Sequence, residues 1–130
     1  MVHKQYPFIT IHWDEDIRAV VMEWTKYAIS VRFRRALNEG LDLLVEKGAH
    51  RWLADLRCLG PVGPKDQEWS NNDWFPRGLA GGITRMALVV PDSTLSRLSV
   101  DAIMQQVKYT QLATQYFDSV EEARCWLAVG

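Results

Sequence analysis

The chain has 130 residues, the usual length of one domain, so we expect residues 1–130 to fold around a single hydrophobic core. Its hydrophobic fraction of 48% and charged fraction of 24% are close to globular averages, which excludes disorder and a fibrous repeat. A net charge of -1 without a basic stripe argues against nucleic acid as a partner and against binding to a membrane surface.

The sequence also predicts a compartment. No apolar run approaches the roughly 20 residues that cross a bilayer, and residues 1–7 lack the apolar core of a signal peptide. We therefore expect a cytoplasmic protein without a membrane span. The two cysteines, Cys58 and Cys125, are too few for a disulfide framework, so both are expected to be reduced thiols.

The N-terminal segment predicts a β-hairpin. Residues 8–13 alternate so that Ile9, Ile11 and Trp13 share one face, and residues 17–24 continue the period of two. The acidic residues 14–16 leave room only for a short turn between these two strands. This acidic run is also too short to be a calcium-binding loop.

Residues 30–47 predict an amphipathic helix, because apolar side chains recur at helical spacing at Phe33, Leu37, Leu41 and Leu44. Gly48 is placed to end this helix. A glycine within a helix costs up to about 1 kcal/mol relative to alanine, so we expect Gly40 to allow close approach of a neighbouring element.

The middle of the chain predicts a strand, a turn and a short helix. Residues 51–56 are apolar at their centre, and glycines and prolines follow from Gly60 to Pro64. Pro64 is a favourable first helical residue, and the helix that it begins is expected to end before Pro76. Residues 78–82 are then expected to form a glycine-rich link.

The C-terminal half predicts two strands and two helices. The apolar run at residues 83–90 indicates a parallel strand that is buried on both faces, and residues 109–117 supply a fifth strand. Between them we expect a helix over residues 95–107 that turns Leu98, Ala102 and Ile103 inward. A capping box from Ser119 to Glu122 begins the last helix, whose apolar stripe is Val120, Ala123 and Leu127.

These elements follow one another in the order ββαβαβαβα, without a repeat or a linker long enough to separate two domains. Alternating strands and helices place helices against a mostly parallel sheet. We therefore predict a single-domain α/β fold, with a mostly parallel five-stranded sheet, an N-terminal β-hairpin and four helices.

This element order resembles that of the STAS domain superfamily. The resemblance also rests on Trp52-Leu53-Ala54-Asp55, on Asp66-Gln67-Glu68-Trp69, and on the closing segment from Tyr116 to Leu127. Within the superfamily the chain is most similar to divergent bacterial STAS-like (SpoIIAA-like) proteins of unassigned role. The resemblance implies a SpoIIAA-like fold, shared in outline with the lipid-carrying Sec14-type domains, and a regulatory or interaction role in a bacterium.

The resemblance also implies a place where a phosphorylated serine would lie. In anti-sigma-factor antagonists the third strand ends in an Asp-Leu-Ser-like step, and the next helix begins with Asp-Ser-Ser-Gly. Here Asp55-Leu56 matches the first step, but Arg57 replaces its serine, and residues 63–66 carry no hydroxyl group. Phosphorylation needs an acceptor, and Ser70 lies too far along the helix, so we do not expect this switch.

Enzymatic and metal sites have little support in the sequence. His3, His12 and His50 are scattered without zinc-ligand spacing, and no nucleophile elbow or phosphate-binding loop is present. Cys58 follows Asp55 and Arg57 and could be a thiolate stabilised by a cation, but no base can be assigned to it. We expect no metal, no cofactor and no catalysis, and an enzyme using these three residues is the third of our hypotheses.

The segment Trp69-Ser-Asn-Asn-Asp-Trp74-Phe75 is the strongest functional signal, because regular helical spacing cannot bury its three aromatic rings together. We hypothesise that Trp69, Trp74 and Phe75 contact a protein partner or a second copy, with Asp55, Arg57 and Cys58 beside them. The other tryptophans are expected in the core, at Trp13, Trp24, Trp52 and Trp126.

Two interpretations of this region stay open. Asp55 ends a strand where α/β sheets commonly bind ligands, but its carboxylate could instead cap the following turn. Arg57 could pair with Asp55 or contact a ligand. The leading hypothesis is a STAS-like interaction module, and the second is a carrier or sensor of a small apolar, lipid-like ligand.

Overall fold

The computed structural model describes residues 1–129 of the chain. Its centre is a six-stranded sheet in which the strands lie side by side in chain order. The strands are β1 (Val2–Tyr6), β2 (Ile9–Asp14), β3 (Ala19–Trp24), β4 (Arg51–Asp55), β5 (Arg85–Val89) and β6 (Ala113–Phe117). The helices are α1 (Ser30–Lys47), α2 (Pro64–Trp69), α3 (Phe75–Gly81), α4 (Thr94–Met104) and α5 (Val120–Ala128), and a π turn (Ser70–Trp74) joins α2 to α3.

The sheet is mixed. β1, β2 and β3 form an antiparallel meander, whereas β3, β4, β5 and β6 are parallel to one another. The α/β class and the hairpin of β2 and β3 are as predicted, but the prediction of five strands is wrong. The additional strand is β1, which was not predicted because it is a largely exposed edge strand without an alternation of apolar and polar residues.

Helices cover both faces of the sheet unequally. The larger core lies on the face packed against α1, the π turn and α4, and includes Trp13, Met22, Trp52, Leu44, Trp74 and Ile103. The smaller core lies under α5 and includes Leu53, Ala87, Val89, Ala123 and Leu127. β5 contributes to both cores and is parallel to both neighbours, as its continuous apolar run predicts.

Helix α1 has the bounds that the sequence predicts. It ends at Gly48, which adopts a left-handed conformation with φ of 59° and donates its N–H to the carbonyl groups of Leu44 and Val45. Gly40 faces the sheet, and a Cβ atom there would lie 2.6 Å from Met22 Sδ and 2.7 Å from Trp52 Cη2. The predicted close approach at Gly40 is therefore confirmed.

The helix that begins at Pro64 continues past Pro76, contrary to the prediction. The N–H of Phe75 bonds to the carbonyl of Ser70, five residues earlier, and this wider turn accommodates a proline that has no N–H to donate. The predicted glycine-rich link is helical up to Gly81, and Gly82 ends the helix with φ of 115°. Because α2, the π turn and α3 form one continuous segment, the four helices of the prediction are present.

Helix α4 presents a different face to the core from the one predicted. Val100 and Ile103 are buried, but Leu98 is 60% exposed and Ala102 is half-buried. Two serines take the inward positions, because Ser99 Oγ donates to the carbonyl of Ser96 and accepts from the N–H of Val62 at 3.0 Å. The hydrogen bonds of Ser99 let its hydroxyl occupy the buried face, whereas Ser96 Oγ is buried there without a hydrogen-bond partner, and the pattern of apolar residues therefore misassigned this face.

Helix α5 begins as predicted. Ser119 Oγ accepts from the N–H of Glu122 at 3.1 Å, and both Ala123 and Leu127 are fully buried. Arg124 Nε donates to Asp14 Oδ2 at 2.7 Å and so ties α5 to the end of β2. Burial raises the pKa of Asp14, but the hydrogen bond and positive charge of Arg124 outweigh it and leave that pKa below its ordinary value.

Candidate functional site

Asp55 and Arg57 form a bidentate ion pair at the carboxyl end of β4. Arg57 donates from Nε to Asp55 Oδ1 at 2.9 Å and from Nη2 to Oδ2 at 2.7 Å, and these hydrogen bonds raise the pKa of Arg57 above its ordinary value. Asp55 is buried, while Arg57 is exposed. The Arg57 carbonyl also accepts from the N–H of Asp92, and this backbone bond links two loops at this end of the sheet.

A groove lined largely by charged side chains lies beside α5, on the part of that sheet face that α5 does not cover. Asp55 and Arg57 line one end of it. His12 Nε2 lies 2.8 Å from Glu23 Oε1 in the same groove. Each of these four side chains already has a partner of opposite charge or a hydrogen-bond partner. These four side chains are therefore already paired and are not free to hold a ligand.

Cys58 has the exposure of a reactive thiol, but neither His12 nor His50 is free to act as its base. Both cysteines are free and exposed. His12 is bonded to Glu23, and His50 is bonded to the carbonyl of Gly82 at 2.8 Å, so neither imidazole is available beside Cys58. Among residues 1–129, no group of three or more His, Cys, Asp or Glu side chains could hold a metal ion.

Trp69 is half-buried, and charged side chains lie against its ring. The guanidinium carbon of Arg34 is 5.2 Å from the ring centroid and that of Arg77 is 5.9 Å away. Arg34 is held in place by an ion pair with Asp66 at 2.7 Å. Trp69 is thus a partly covered cation–π site rather than a free apolar anchor.

Trp74 and Phe75 lie in the core. Trp74 is 2% exposed, and its Nε1 donates to the carbonyl of Leu37 at 3.1 Å. Its ring makes edge contacts with Trp52 at 5.0 Å and with Phe75 at 5.1 Å between centroids. Their burial rules out direct contact with a protein partner, because the π turn rotates both rings toward the sheet.

The same rings line an apolar cavity of about 70 Å³. It lies between the sheet and the helices of the larger core, and its wall includes Phe33, Ala54, Trp74, Phe75, Met86 and Met104. Trp74 and Phe75 therefore remain candidates for the wall of a ligand-binding site. The cavity has about half the volume of an apolar cavity known to take up benzene.

Four helices begin at the same end of the molecule, because α1, α2, α4 and α5 follow the carboxyl ends of the parallel strands β3, β4, β5 and β6. The start of α2 lies between the starts of α1 and α4. Ser30 Oγ at the start of α1 donates to Asp66 Oδ1 at 2.7 Å. On the other side, the N–H of Val62 donates to Ser99 Oγ in α4.

Exposed apolar side chains gather at this end. Tyr27 and Ile29 in the β3–α1 loop, Val31 in the first turn of α1, and Leu95 and Leu98 in α4 are between 52% and 73% exposed. We call these five residues the carboxyl-end surface. The sequence prediction missed all of them, although Val31 lies off the apolar stripe of α1 and could have been predicted to be exposed.

The charged side chains around the carboxyl-end surface are mainly basic. Lys26, Arg32, Lys65 and Arg97 are exposed there, whereas Asp92 is the exposed acidic residue in the loop before α4. Such an arrangement of apolar side chains within a positive rim complements a surface that is apolar and acidic.

A family comparison agrees with this architecture. A model of the SpoIIAA-like family matches residues 8–128. The chain belongs to the SpoIIAA-like family. The STAS-like resemblance seen in the sequence is therefore confirmed over nearly the whole domain, while no curated protein matches the chain. Within the part of this SpoIIAA-like domain that the structure describes, no helix is long and apolar enough to cross a membrane.

Proposed function

We propose that this SpoIIAA-like domain is a non-catalytic regulatory module that binds a protein partner through the carboxyl-end surface. The observation that carries the proposal is that five large exposed apolar side chains lie at one end of the molecule, on both sides of the start of α2. Single exposed apolar residues are ordinary, but several at one end of a domain within a polar rim are typical of an interaction surface. Family membership supports the same type of role.

Asp55, Arg57 and Cys58 form the base of this surface. The backbone bond between Asp92 and Arg57 links the β4–α2 and β5–α4 loops, and the ion pair with Asp55 holds the Arg57 side chain in place. Arg57 and Cys58 are exposed in the loop before α2, where a bound partner could reach them. Their proposed role is contact and positioning, not chemistry.

We further propose that this module is not switched by phosphorylation at the start of α2. Residues 63–66 present Gly-Pro-Lys-Asp, without a hydroxyl acceptor. Ser70, farther along, is 3% exposed, and its Oγ donates to the carbonyl of Asp66. A kinase would have to unfold this turn to reach that hydroxyl, so partner binding is expected to be constitutive here.

The test replaces Leu98 by glutamate, which puts a charge on the α4 side of the carboxyl-end surface. We expect Leu98→Glu to weaken partner binding at least about tenfold, because an apolar contact is lost and a carboxylate must be desolvated. Val45→Glu is the matched control, since Val45 is also exposed but lies near the other end of α1. Binding is measured by quantitative capture from lysate and then with the purified captured protein.

The two variants separate the outcomes. A protein captured by wild type and by Val45→Glu, but not by Leu98→Glu, supports the carboxyl-end surface. An identical capture profile for all three proteins, each with an unchanged circular-dichroism spectrum, would contradict the proposal.

The apolar cavity favours a second candidate function, the carrying or sensing of a small apolar ligand. Its wall is almost wholly apolar and contains several aromatic rings. At about 70 Å³ it accepts a group of a few carbon atoms, so a lipid-like ligand could place only one end of its chain there.

Filling the cavity tests this candidate. Ala54 lines it from β4, and Ala54→Leu should occupy the space that a ligand chain would use. With a medium-chain fatty acid as the probe, we expect wild type to gain thermal stability and Ala54→Leu to gain none. The candidate fails if wild type shows no thermal shift and if native mass spectrometry of the gently purified protein shows no retained ligand.

A further inference from the structure

The two edges of the sheet differ in how they are protected from other strands. β1 carries Lys4 and His3, and its register with β2 shifts between Val2 and Lys4. Lysines and irregularities of this kind prevent an edge from accepting another strand. The edge at β1 is therefore blunted.

β6 has none of these protections. Its five residues, Ala-Thr-Gln-Tyr-Phe, include no charge and no proline, and its register with β5 is regular from Ala113 to Phe117. Four of the five residues are exposed. Thr, Tyr and Phe favour extended structure, so β6 is a well-formed strand with an open outer edge. Among residues 1–129, no strand pairs with that edge.

The hydrogen bonds to β5 show which backbone groups point outward. The N–H of Ala113 donates to Thr84, and the carbonyl of Phe117 accepts from Val90, so both residues point toward β5. Backbone groups alternate in direction along a strand, which places the N–H and C=O groups of Thr114 and Tyr116 on the free edge. Two donors and two acceptors are thus available there.

We propose that β6 pairs antiparallel with β6 of a second copy of this chain, about a two-fold axis at Gln115. In that register the outward groups of Thr114 face those of the partner copy's Tyr116, and the reverse holds across the axis. Four backbone hydrogen bonds form, and no outward group in β6 is left without a partner. The two six-stranded sheets become one continuous sheet.

The side chains fit this arrangement. Residues opposite each other in an antiparallel pair share a face, so Thr114 lies opposite Tyr116 and Ala113 opposite Phe117. Gln115 meets its own copy, and an amide pair at a two-fold axis can supply both a donor and an acceptor. Because β6 carries no charge, self-pairing brings no like charges together.

The flanking side chains leave the edge accessible. Tyr116 Oη donates to Asp101 Oδ1 at 3.0 Å, which holds the ring against α4 rather than across the edge. A groove lined by Arg97, Asp101, Met104 and Gln105 runs beside β6 and adds surface to the contact. A stable interface buries about 800 Å² per partner, and a strand of five residues supplies only part of that area. Association should therefore depend on concentration.

Introducing a charge of either sign at Gln115 tests the two-fold axis. Gln115→Lys and Gln115→Glu each place like charges opposite one another, and each is expected to weaken self-association about fivefold. An equimolar mixture should restore association at least to the wild-type level, because lysine then faces glutamate. Sedimentation velocity from about 10 µM to about 1 mM measures the association of each sample.

A backbone variant provides an independent measurement. Thr114→Pro removes an outward N–H without removing a bond to β5, so the fold should survive while association falls at least about tenfold.

A wild-type domain that stays monomeric over this concentration range overturns the proposal, and the edge would then be free for a strand from another protein. Association that is unchanged in all three variants, or that is lost and not restored by mixing, also overturns it. Leu98→Glu should leave self-association unchanged, which separates this surface from the carboxyl-end surface.

Discussion

Trp74→Ala is expected to lower the free energy of unfolding by about 3–5 kcal/mol. The Trp74 ring is 2% exposed and lies between Trp52 and Phe75, beside a cavity that already leaves part of the core unfilled. Its removal enlarges that cavity and leaves the carbonyl of Leu37 without the Nε1 donor. Urea denaturation, with the slope compared between proteins, measures the change.

Trp69→Ala is the matched control, because it removes the same side chain five residues earlier in the same helical segment. Trp69 is half-buried and covered by guanidinium groups, so we expect a loss of only about 1 kcal/mol. If Trp74→Ala fails to fold, Trp74→Phe should still fold and be less stable than wild type, since it keeps most of the ring but loses the hydrogen bond to Leu37. Equal losses for Trp74→Ala and Trp69→Ala would contradict the placement of Trp74 in the core.

Gly40→Val is expected to destabilise the domain by about 1–3 kcal/mol, although valine has a better helix propensity than glycine. A Cβ atom at Gly40 meets Met22 Sδ at 2.6 Å and the edge of the Trp52 ring at 2.7 Å. The methionine end can move, but the indole ring is rigid and 1% exposed, so α1 would have to shift away from the sheet. Thermal and urea denaturation measure the loss.

Asp42→Val places the same side chain on the exposed face of the same helix and should change stability by less than about 0.5 kcal/mol. The difference between the two variants isolates the steric contact from the propensity of valine. A Gly40→Val protein as stable as Asp42→Val would show that the contact between α1 and the sheet is looser than the structure indicates.

Local sequence signals were sufficient for much of the fold. Helix α1 follows from apolar spacing and ends at Gly48, α5 follows from the capping box at Ser119, and β5 follows from its apolar run. Each signal acts within one turn or one strand, where neighbouring residues determine the conformation. Trp13, Trp24 and Trp52 were placed in the core for the same reason, and the structure confirms them, whereas Trp126 is half-buried under the guanidinium of Arg85.

The errors arose where distant residues decide the outcome. β1 is strand because β2 supplies its hydrogen bonds, not because its own residues alternate. Helix α4 turns serines inward because Val62, from another element, bonds to Ser99. The helix after Pro64 passes Pro76 because a π turn removes the need for the missing N–H.

The features of the candidate site also fall into those that local sequence determines and those that distant contacts decide. The sequence by itself determined the α/β class, the SpoIIAA-like resemblance and the absence of a hydroxyl at residues 63–66, since these depend on residue identity and short spacing. Only the tertiary structure decided that Trp74 is core and that the exposed apolar residues are Tyr27, Ile29, Val31, Leu95 and Leu98. Exposure depends on what packs over a residue. Here the π turn places Trp74 inside, and the bond from Val62 to Ser99 turns α4 so that Leu98 faces outward, against the assignment that helical periodicity favoured.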